Sequence, residues 1–264
     1  MKAGQREGRR VLVTGASSGI GHAVVVALAS EGANVIMVGR SQERLVAAAA
    51  RLDEPERHRL VEADLADYGQ VTEVSGVLAS ERILLDGLVH CAGVFQPGAF
   101  EQIRPDGLER TWAVNARGPF YLTQALASQL RDGAGIVFVT SVSAHVGMAG
   151  QSAYAMSKGA VESLSRTLAV ELAPRSIRVN AIAPGFVATP MTEGFRKVPG
   201  VADRRATAAL AGRQGTPEEI ASVVSFLLSE EGTFVNGTTI HANGGYPIAD
   251  VQRNEQSMES ETTR

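Results

Sequence analysis

The sequence has a single cysteine, Cys91, among its 264 residues, which excludes an internal disulfide framework and a cysteine-built zinc cluster and makes a reducing compartment the simpler expectation. Taken alone, Cys91 reads as a small buried residue. Long apolar runs are also lacking. Residues 1–10 pass from a polar, basic start straight into Val11-Leu12-Val13 without a signal-length stretch, and no run approaches a membrane span, so a soluble cytoplasmic protein is expected. Nor is there an excess of positive charge: 25 Lys and Arg stand against 28 Asp and Glu, a net charge of -3 that argues against a nucleic-acid partner held by a basic surface. Aromatic residues make up 5% of the chain, whereas glycine occurs 28 times and 44% of residues are hydrophobic, enough for one domain with a full core.

What is abundant is alternation. Short apolar runs at 10–14, 34–38, 59–62, 85–90, 136–140 and 177–183 are separated by helical patterns at 20–30, 42–52, 68–79, within 105–130 and from Tyr154 onward. This repetition predicts an α/β fold, a single Rossmann-type doubly wound parallel sheet with helices on both faces. A further helix opens with Thr216 as cap and Pro217 at its first position and runs to Leu228, and a last strand is expected at 238–242. No linker-like composition intervenes, so residues 1–248 read as one domain and 249–264 as a polar tail.

Between the first strand and helix stands Thr14-Gly15-Ala16-Ser17-Ser18-Gly19-Ile20-Gly21. Glycines there let the backbone turn sharply and approach a pyrophosphate, which free N–H groups along Ser17, Ser18, Gly19 and Ile20 and the positive end of the helix would hold. The spacing is Gly-x-x-x-Gly-x-Gly, not the commoner Gly-x-Gly-x-x-Gly, and a glycine turn alone is often only a turn; its place in the first βαβ unit favours nucleotide binding. After the second strand an acidic residue would bond the adenosine ribose, but the chain has Gly39-Arg40-Ser41. Arg40 offers a donor fork to a 2′-phosphate, so NADP(H) is preferred with NAD(H) still open; Arg40 as a solvated helix start and Glu43 reaching the ribose are the alternatives. Asp64, after the third strand, either bonds the adenine amine or caps the helix that follows.

Tyr154 and Lys158, four residues apart at a helix start, place a phenol and an ammonium on one face, where positive charge favours the phenolate and lowers a pKa normally about 10. Ser152 is the expected N-cap, which puts Tyr154 in the first turn where the helix dipole acts in the same sense. Alone the pair is weak evidence. Upstream, 135–141 reads as a buried strand ending in hydroxyl residues, which carries Ser141 to the ligand-binding edge of the sheet.

In order, Thr14-Gly15-x-x-x-Gly19-x-Gly21, Asp64-Leu65, Ala92-Gly93, Asn115, Ser141, Tyr154-x-x-x-Lys158 and Pro184-Gly185-Phe186-Val187-x-Thr189-Pro190-Met191 resemble the classical short-chain dehydrogenase/reductase family from about Arg9 to Tyr246. The resemblance implies Tyr154 as proton donor or acceptor, Lys158 beside it and on the nicotinamide ribose, Ser141 on the substrate oxygen, and Asn115 anchoring a water through which Lys158 is reprotonated. An asparagine that merely bonds backbone beside a helix is the rival for Asn115. It also implies that Asp64, Leu65, Cys91, Ala92, Gly93, Pro184 and Gly185 border the cofactor and that Val187 and Thr189 contact the nicotinamide carboxamide. Ser143 and Ser157 are accessory in this reading, although Ser143 could line the substrate side. Two departures stand out: His90-Cys91-Ala92-Gly93 replaces the usual Asn-Asn-Ala-Gly, which casts doubt on a side-chain brace between strands, and Asn243-Gly244-Gly245 replaces Asp-Gly-Gly.

Residues 188–212 correspond to a substrate lid in similar enzymes, with Phe195, Val198, Val201 and Leu210 beside Arg196, Lys197, Arg204 and Arg205. That mixture suits a phosphate-bearing or carrier-linked acyl substrate, or is a solvated basic helix face. The pattern most resembles 3-oxoacyl-acyl-carrier-protein reductases. Three functions follow: an NADPH-dependent reductase of a 3-oxoacyl or related ketone, an NAD(P)-dependent dehydrogenase of a sugar, polyol or steroid alcohol, and a non-catalytic NADP-binding regulatory protein. No metal is expected, and resemblance implies a homo-oligomer, tetramer or dimer, through the helices carrying Asn115 and Tyr154.

Overall fold

Apolar runs that alternate with helices become strands covered on both faces. The computed structural model describes residues 6–196 and 208–246. In it β1 (Arg10–Thr14), β2 (Asn34–Gly39), β3 (Arg59–Glu62), β4 (Leu85–His90), β5 (Leu130–Val139), β6 (Arg178–Ile182) and β7 (Thr239–Ile240) form one parallel sheet in the order β3-β2-β1-β4-β5-β6-β7. Along β1 the side chains alternate: Val11 and Val13 join one core and Leu12 the other. The first core is closed by α1 (Gly19–Ser30), α2 (Gln42–Ala49) and α8 (Pro217–Leu228), through Val24, Leu28, Leu45 and Val224. The second is closed by α3 (Tyr68–Ser80), α5 (Gly118–Leu126) and α6 (Ser152–Glu171), through Val74, Leu122 and Val161. α4 (Pro105–Trp112) and α7 (Glu193–Arg196) complete the helices used below.

Strand order turns back at β1, which pairs with β2 on one side and β4 on the other. Such a switch point opens a crevice at the carboxyl edge. It is pinned from beneath by Thr14, whose Oγ1 accepts from both Cys91 N and Ala92 N at 3.1 Å. The expected helix within 105–130 is α4 and α5 joined by one π turn at Ala113–Arg117. The expected strand at 136–140 begins earlier, at Leu130, and the last strand contracts to two residues at the sheet margin, where among the described residues it pairs with β6 alone.

Two capping expectations are corrected. α6 begins at Ser152 itself, with Gln151 in the cap position and no side-chain cap bond, because the Gln151 side chain is occupied by Ser143. Asp67 rather than Asp64 caps α3, accepting from Gln70 N at 3.2 Å. Thr216 does cap α8, in a reciprocal box with Glu219. The tail at 249–264 and the lid positions Lys197, Val198, Val201, Arg204 and Arg205 lie outside the described residues, as do the side chains of Phe195 and Arg196.

Candidate active site

A cleft of about 550 Å³ runs along the carboxyl edge from β2 to β4. Gly15, Ser17, Ser18, Gly19, Ile20 and Gly21 line one wall; Arg40, Asp64, Leu65, Cys91, Ala92, Gly93 and Thr189 line the rest. Gly15 has φ +67°, and a Cβ there would lie 2.9 Å from Ala92 Cα, so only glycine lets the turn pack against the end of β4. A Cβ on Gly21 would fall 2.3 Å from Gly15 O, which fixes how closely α1 starts behind the turn. Ser18, the α1 cap residue, makes no side-chain cap bond, leaving the first-turn N–H groups for a ligand. The residues therefore fit a dinucleotide's pyrophosphate.

At the β2 end, Arg40 and Arg44 border the cleft, both exposed. Arg44 was not singled out from the sequence, though its position one helical turn beyond Arg40 is the signal that could have found it. Asp64 accepts from Ala66 N at 3.0 Å and from Arg110 at 2.9 Å. Burial pushes its carboxyl up, but those bonds and the charges of Arg110 and Arg40 outweigh it and hold the group below its ordinary range.

Pro184, Gly185 and Val187 do not reach this cleft. Gly185 instead borders a second, smaller void of about 90 Å³ at the β5 end, while Val187 is buried and bridges to Gly215. Ser141, Ser143, Tyr154, Phe95, Met148 and Phe186 also line that void. Phe95 packs edge-on against Tyr154, with ring centroids 4.9 Å apart. No local sequence signal marked Phe95, and Phe186 stood out only within the Pro184–Met191 motif, because their place on the void depends on which strands meet.

Ser141 and Tyr154 border this void, while Asn115 and Lys158 are buried behind it, beside Gly93. Tyr154 and Ser141 line the void side by side, and the Ser141 hydroxyl favours the phenolate. Lys158 Nζ donates to Val139 O at 2.8 Å and sits 5.7 Å from the centre of the Tyr154 ring. Asn115, in the π turn, accepts from Val94 N at 2.8 Å and donates to Val94 O at 2.9 Å and Ser157 Oγ at 3.1 Å. A Cβ on Gly93 would lie 3.5 Å from Asn115 Oδ1 and 3.6 Å from Lys158 Nζ, so the two ends of the crevice meet at Gly93.

One electrostatic expectation is overturned. Burial pushes the Tyr154 phenol up to about 12, against which the Ser141 hydroxyl acts only in part. Burial also lowers the Lys158 ammonium to about 8, opposed by Cys91. Lys158 is buried and Tyr154 half-buried, and that desolvation outweighs what a cation bonded elsewhere recovers. Helical spacing puts the pair on one face; it does not aim the ammonium at the phenol. Cys91 is itself pushed up to about 12 by burial, which keeps it a thiol.

His90 takes the place of the expected brace. It is 3% exposed, stacks on Phe138 at 4.6 Å and shares a 2.9 Å hydrogen bond with Thr123 on α5. Burial, with the Lys158 charge adding to it, lowers its pKa to about 3, so it stays neutral. Asn243 closes a terminal turn by accepting from Gly245 N at 3.0 Å.

A family model described as enoyl-(acyl carrier protein) reductase matches residues 15–247. The chain is 38% identical over 247 residues to 3-oxoacyl-[acyl-carrier-protein] reductase FabG of Thermotoga maritima, covering 92% of this chain and 99% of the relative. The chain is a classical short-chain dehydrogenase/reductase. Members of this family are oxidoreductases acting on CH–OH and C=O groups with nicotinamide cofactors. Among solved structures, one titled a short-chain dehydrogenase/reductase, glucose/ribitol dehydrogenase, from Brucella melitensis superposes with a TM-score of 0.88 at 35% identity, covering 92% of this chain and 98% of that one. A short-chain dehydrogenase from Burkholderia cenocepacia in complex with NADP gives 0.85 at 34%, covering 91% and 98%. No helix among the described residues of this short-chain dehydrogenase/reductase is long and apolar enough to cross a membrane, and no group of three potential metal ligands occurs among them.

Proposed function

We propose that this short-chain dehydrogenase/reductase is an NADPH-dependent reductase of a ketone, a 3-oxoacyl or related carbonyl compound, with Tyr154 as proton donor. The observation that carries the reading is Tyr154 held protonated by desolvation, next to Ser141 on the same void and beside the junction with the cofactor cleft. A reduced nicotinamide supplies the hydride when bound. The Ser141 hydroxyl, which points to Ser143 Oγ at 3.1 Å in this structure, turns to donate its hydrogen bond to the substrate carbonyl, strengthening as negative charge develops on that oxygen. Tyr154 then gives its proton to that oxygen, which as an alkoxide is far more basic than a phenolate. Lys158, cationic below about pH 8, steadies the phenolate left behind and bonds the nicotinamide ribose. Asn115 fixes Val94 and, through Ser157, the backbone of Tyr154.

Arg40 and Arg44 beside the cleft, with no acid at the end of β2, support a 2′-phosphate and so NADP(H) over NAD(H). The Burkholderia relative's NADP is in keeping with this. The name of the Brucella structure favours a second reading, oxidation of a sugar or polyol alcohol. The two are separated by initial rates on a panel of ketones and alcohols with NADPH and NADH. Reduction with NADPH is expected to dominate; turnover confined to alcohols with NAD supports the second reading. Self-association is part of the proposal: Trp112 and Phe120 stand exposed on either side of the π turn, beside Ala160 and Leu164 of α6.

A further inference from the structure

Tyr154, Lys158, Glu162 and Arg166 follow one another at four-residue spacing along α6, so the helix face that carries the chemistry continues, one turn further, into a buried acid for which the proton transfer has no use. The Glu162 side chain is 9% exposed. Its Oε1 accepts from Arg166 at 3.1 Å. Its Oε2 is sealed from water and stands 2.7 Å from His145 Nε2, yet out of line for a ring N–H to donate to it. What passes between them is therefore charge. A carboxylate oxygen sealed in this way is costly unless a cation faces it, and a histidine is a cation only when protonated.

His145 also ends the turn that Ser141 begins. Ser141 Oγ accepts from Ser143 N at 3.1 Å at the start of the short turn Val142–Ala144, and His145 N donates back to Val142 O at 3.0 Å at its close. On one side that turn hangs from Pro184 O, which accepts from Val142 N at 2.9 Å; toward α6 it is met by Glu162 through His145. Three other charged or titratable groups surround the contact. Arg166 holds the far oxygen of Glu162, Lys158 is turned away to donate to Val139 O, and His241, just beyond β7, packs its ring 4.5 Å from that of His145 and borders the void that holds the Arg213–Glu219 pair.

We propose that His145 is a positioning residue: protonated, it draws the Ser141 turn against Glu162 on α6 and so fixes Ser141 relative to Tyr154, and loss of that proton loosens the two hydroxyl groups from one another. The inference rests on the reading of Ser141 and Tyr154 as the groups that meet the substrate oxygen. His145 itself lines neither the small void nor the cofactor cleft, so it acts through Glu162 and the turn rather than on the reacting atoms.

The test follows kcat for ethyl acetoacetate at saturating NADPH between about pH 5.5 and 7.5, where histidine changes charge, in the wild type, His145→Gln, His145→Arg and Glu162→Gln. Gln keeps a polar side chain without charge, and Arg keeps the charge at every pH. Wild-type kcat is expected to fall by about threefold across that range, the usual strength of a partly exposed ion pair, with KM for NADPH unchanged. His145→Gln and Glu162→Gln are expected to lie flat at the lower value and His145→Arg flat at the upper one, and His145→Gln to add nothing in a Glu162→Gln background. A merely structural contact would lower every pH point alike. A wild-type profile flat across the range, or a fall that survives in His145→Gln or Glu162→Gln, overturns the assignment while leaving the reductase reading intact. Failure of the wild type to reduce this ketone or any other of the panel overturns the reductase reading and this one with it.

Discussion

At the β1–β2 end of the cleft, the proposed cofactor recognition rests on backbone and exposed charge: a turn whose glycines admit close approach, the first-turn N–H groups of α1, and the guanidinium groups of Arg40 and Arg44. At the β5–α6 end it rests on side chains almost sealed from water, Asn115 at 1% exposure, Lys158 at 5% and Ser141 at 9%. The same parallel sheet presents both, yet the physics differs. Exposed charges act through solvent-screened attraction, whereas burial moves Tyr154 and Lys158 in opposite directions, each toward its neutral form. A binding end can therefore be altered by exchanging charge, while the chemical end responds to loss of a single proton.

The sharpest way to break that contrast is Tyr154→Phe. Turnover is expected to fall by at least about two orders of magnitude, as for removal of a positioned acid, while NADPH titrated by fluorescence binds nearly as before. Near-normal turnover would move the proton donor elsewhere. A smaller effect is expected at the other end: Arg40→Asp lowers the NADPH-to-NADH ratio of kcat/KM by about tenfold, the value of roughly one charge-assisted bond. An unchanged ratio would place the phosphate on Arg44 alone. The mildest test is pH. Lys158 is lowered to about 8, so its cation is complete below that value and lost above it, and kcat/KM for reduction is expected to decline as pH rises past about 8. A profile flat to pH 10 would separate Lys158 from the reaction.

The binding end was the more legible in sequence because glycine spacing and strand-to-helix order are local. Every glycine of the turn reached the cleft, as did Arg40 and Asp64. Asp64, however, is tied to Arg110, 46 positions away, and nothing near it announced that partner. At the chemical end the grouping of Asn115, Ser141, Tyr154 and Lys158 was legible only through family resemblance, since three separate elements carry them. The π turn under Asn115 was invisible: one extra residue in a helical turn leaves the apolar pattern of α4 and α5 intact. Spacing also gave the wrong sign for Tyr154, because it reports neighbours along a helix and not the water those neighbours lose.

That sign is the claim on which the account turns, and a tyrosinate difference titration reads it. Absorbance of wild type minus Tyr154→Phe, followed with rising pH in the absence of cofactor, isolates one phenol from Tyr68, Tyr121 and Tyr246. With the phenol pushed up to about 12, the difference should show no ionisation below about pH 10, the value of an unperturbed tyrosine. A tyrosinate signal appearing near pH 7 to 8 and absent from the variant would contradict it, restoring Lys158 as the group that sets the proton's affinity.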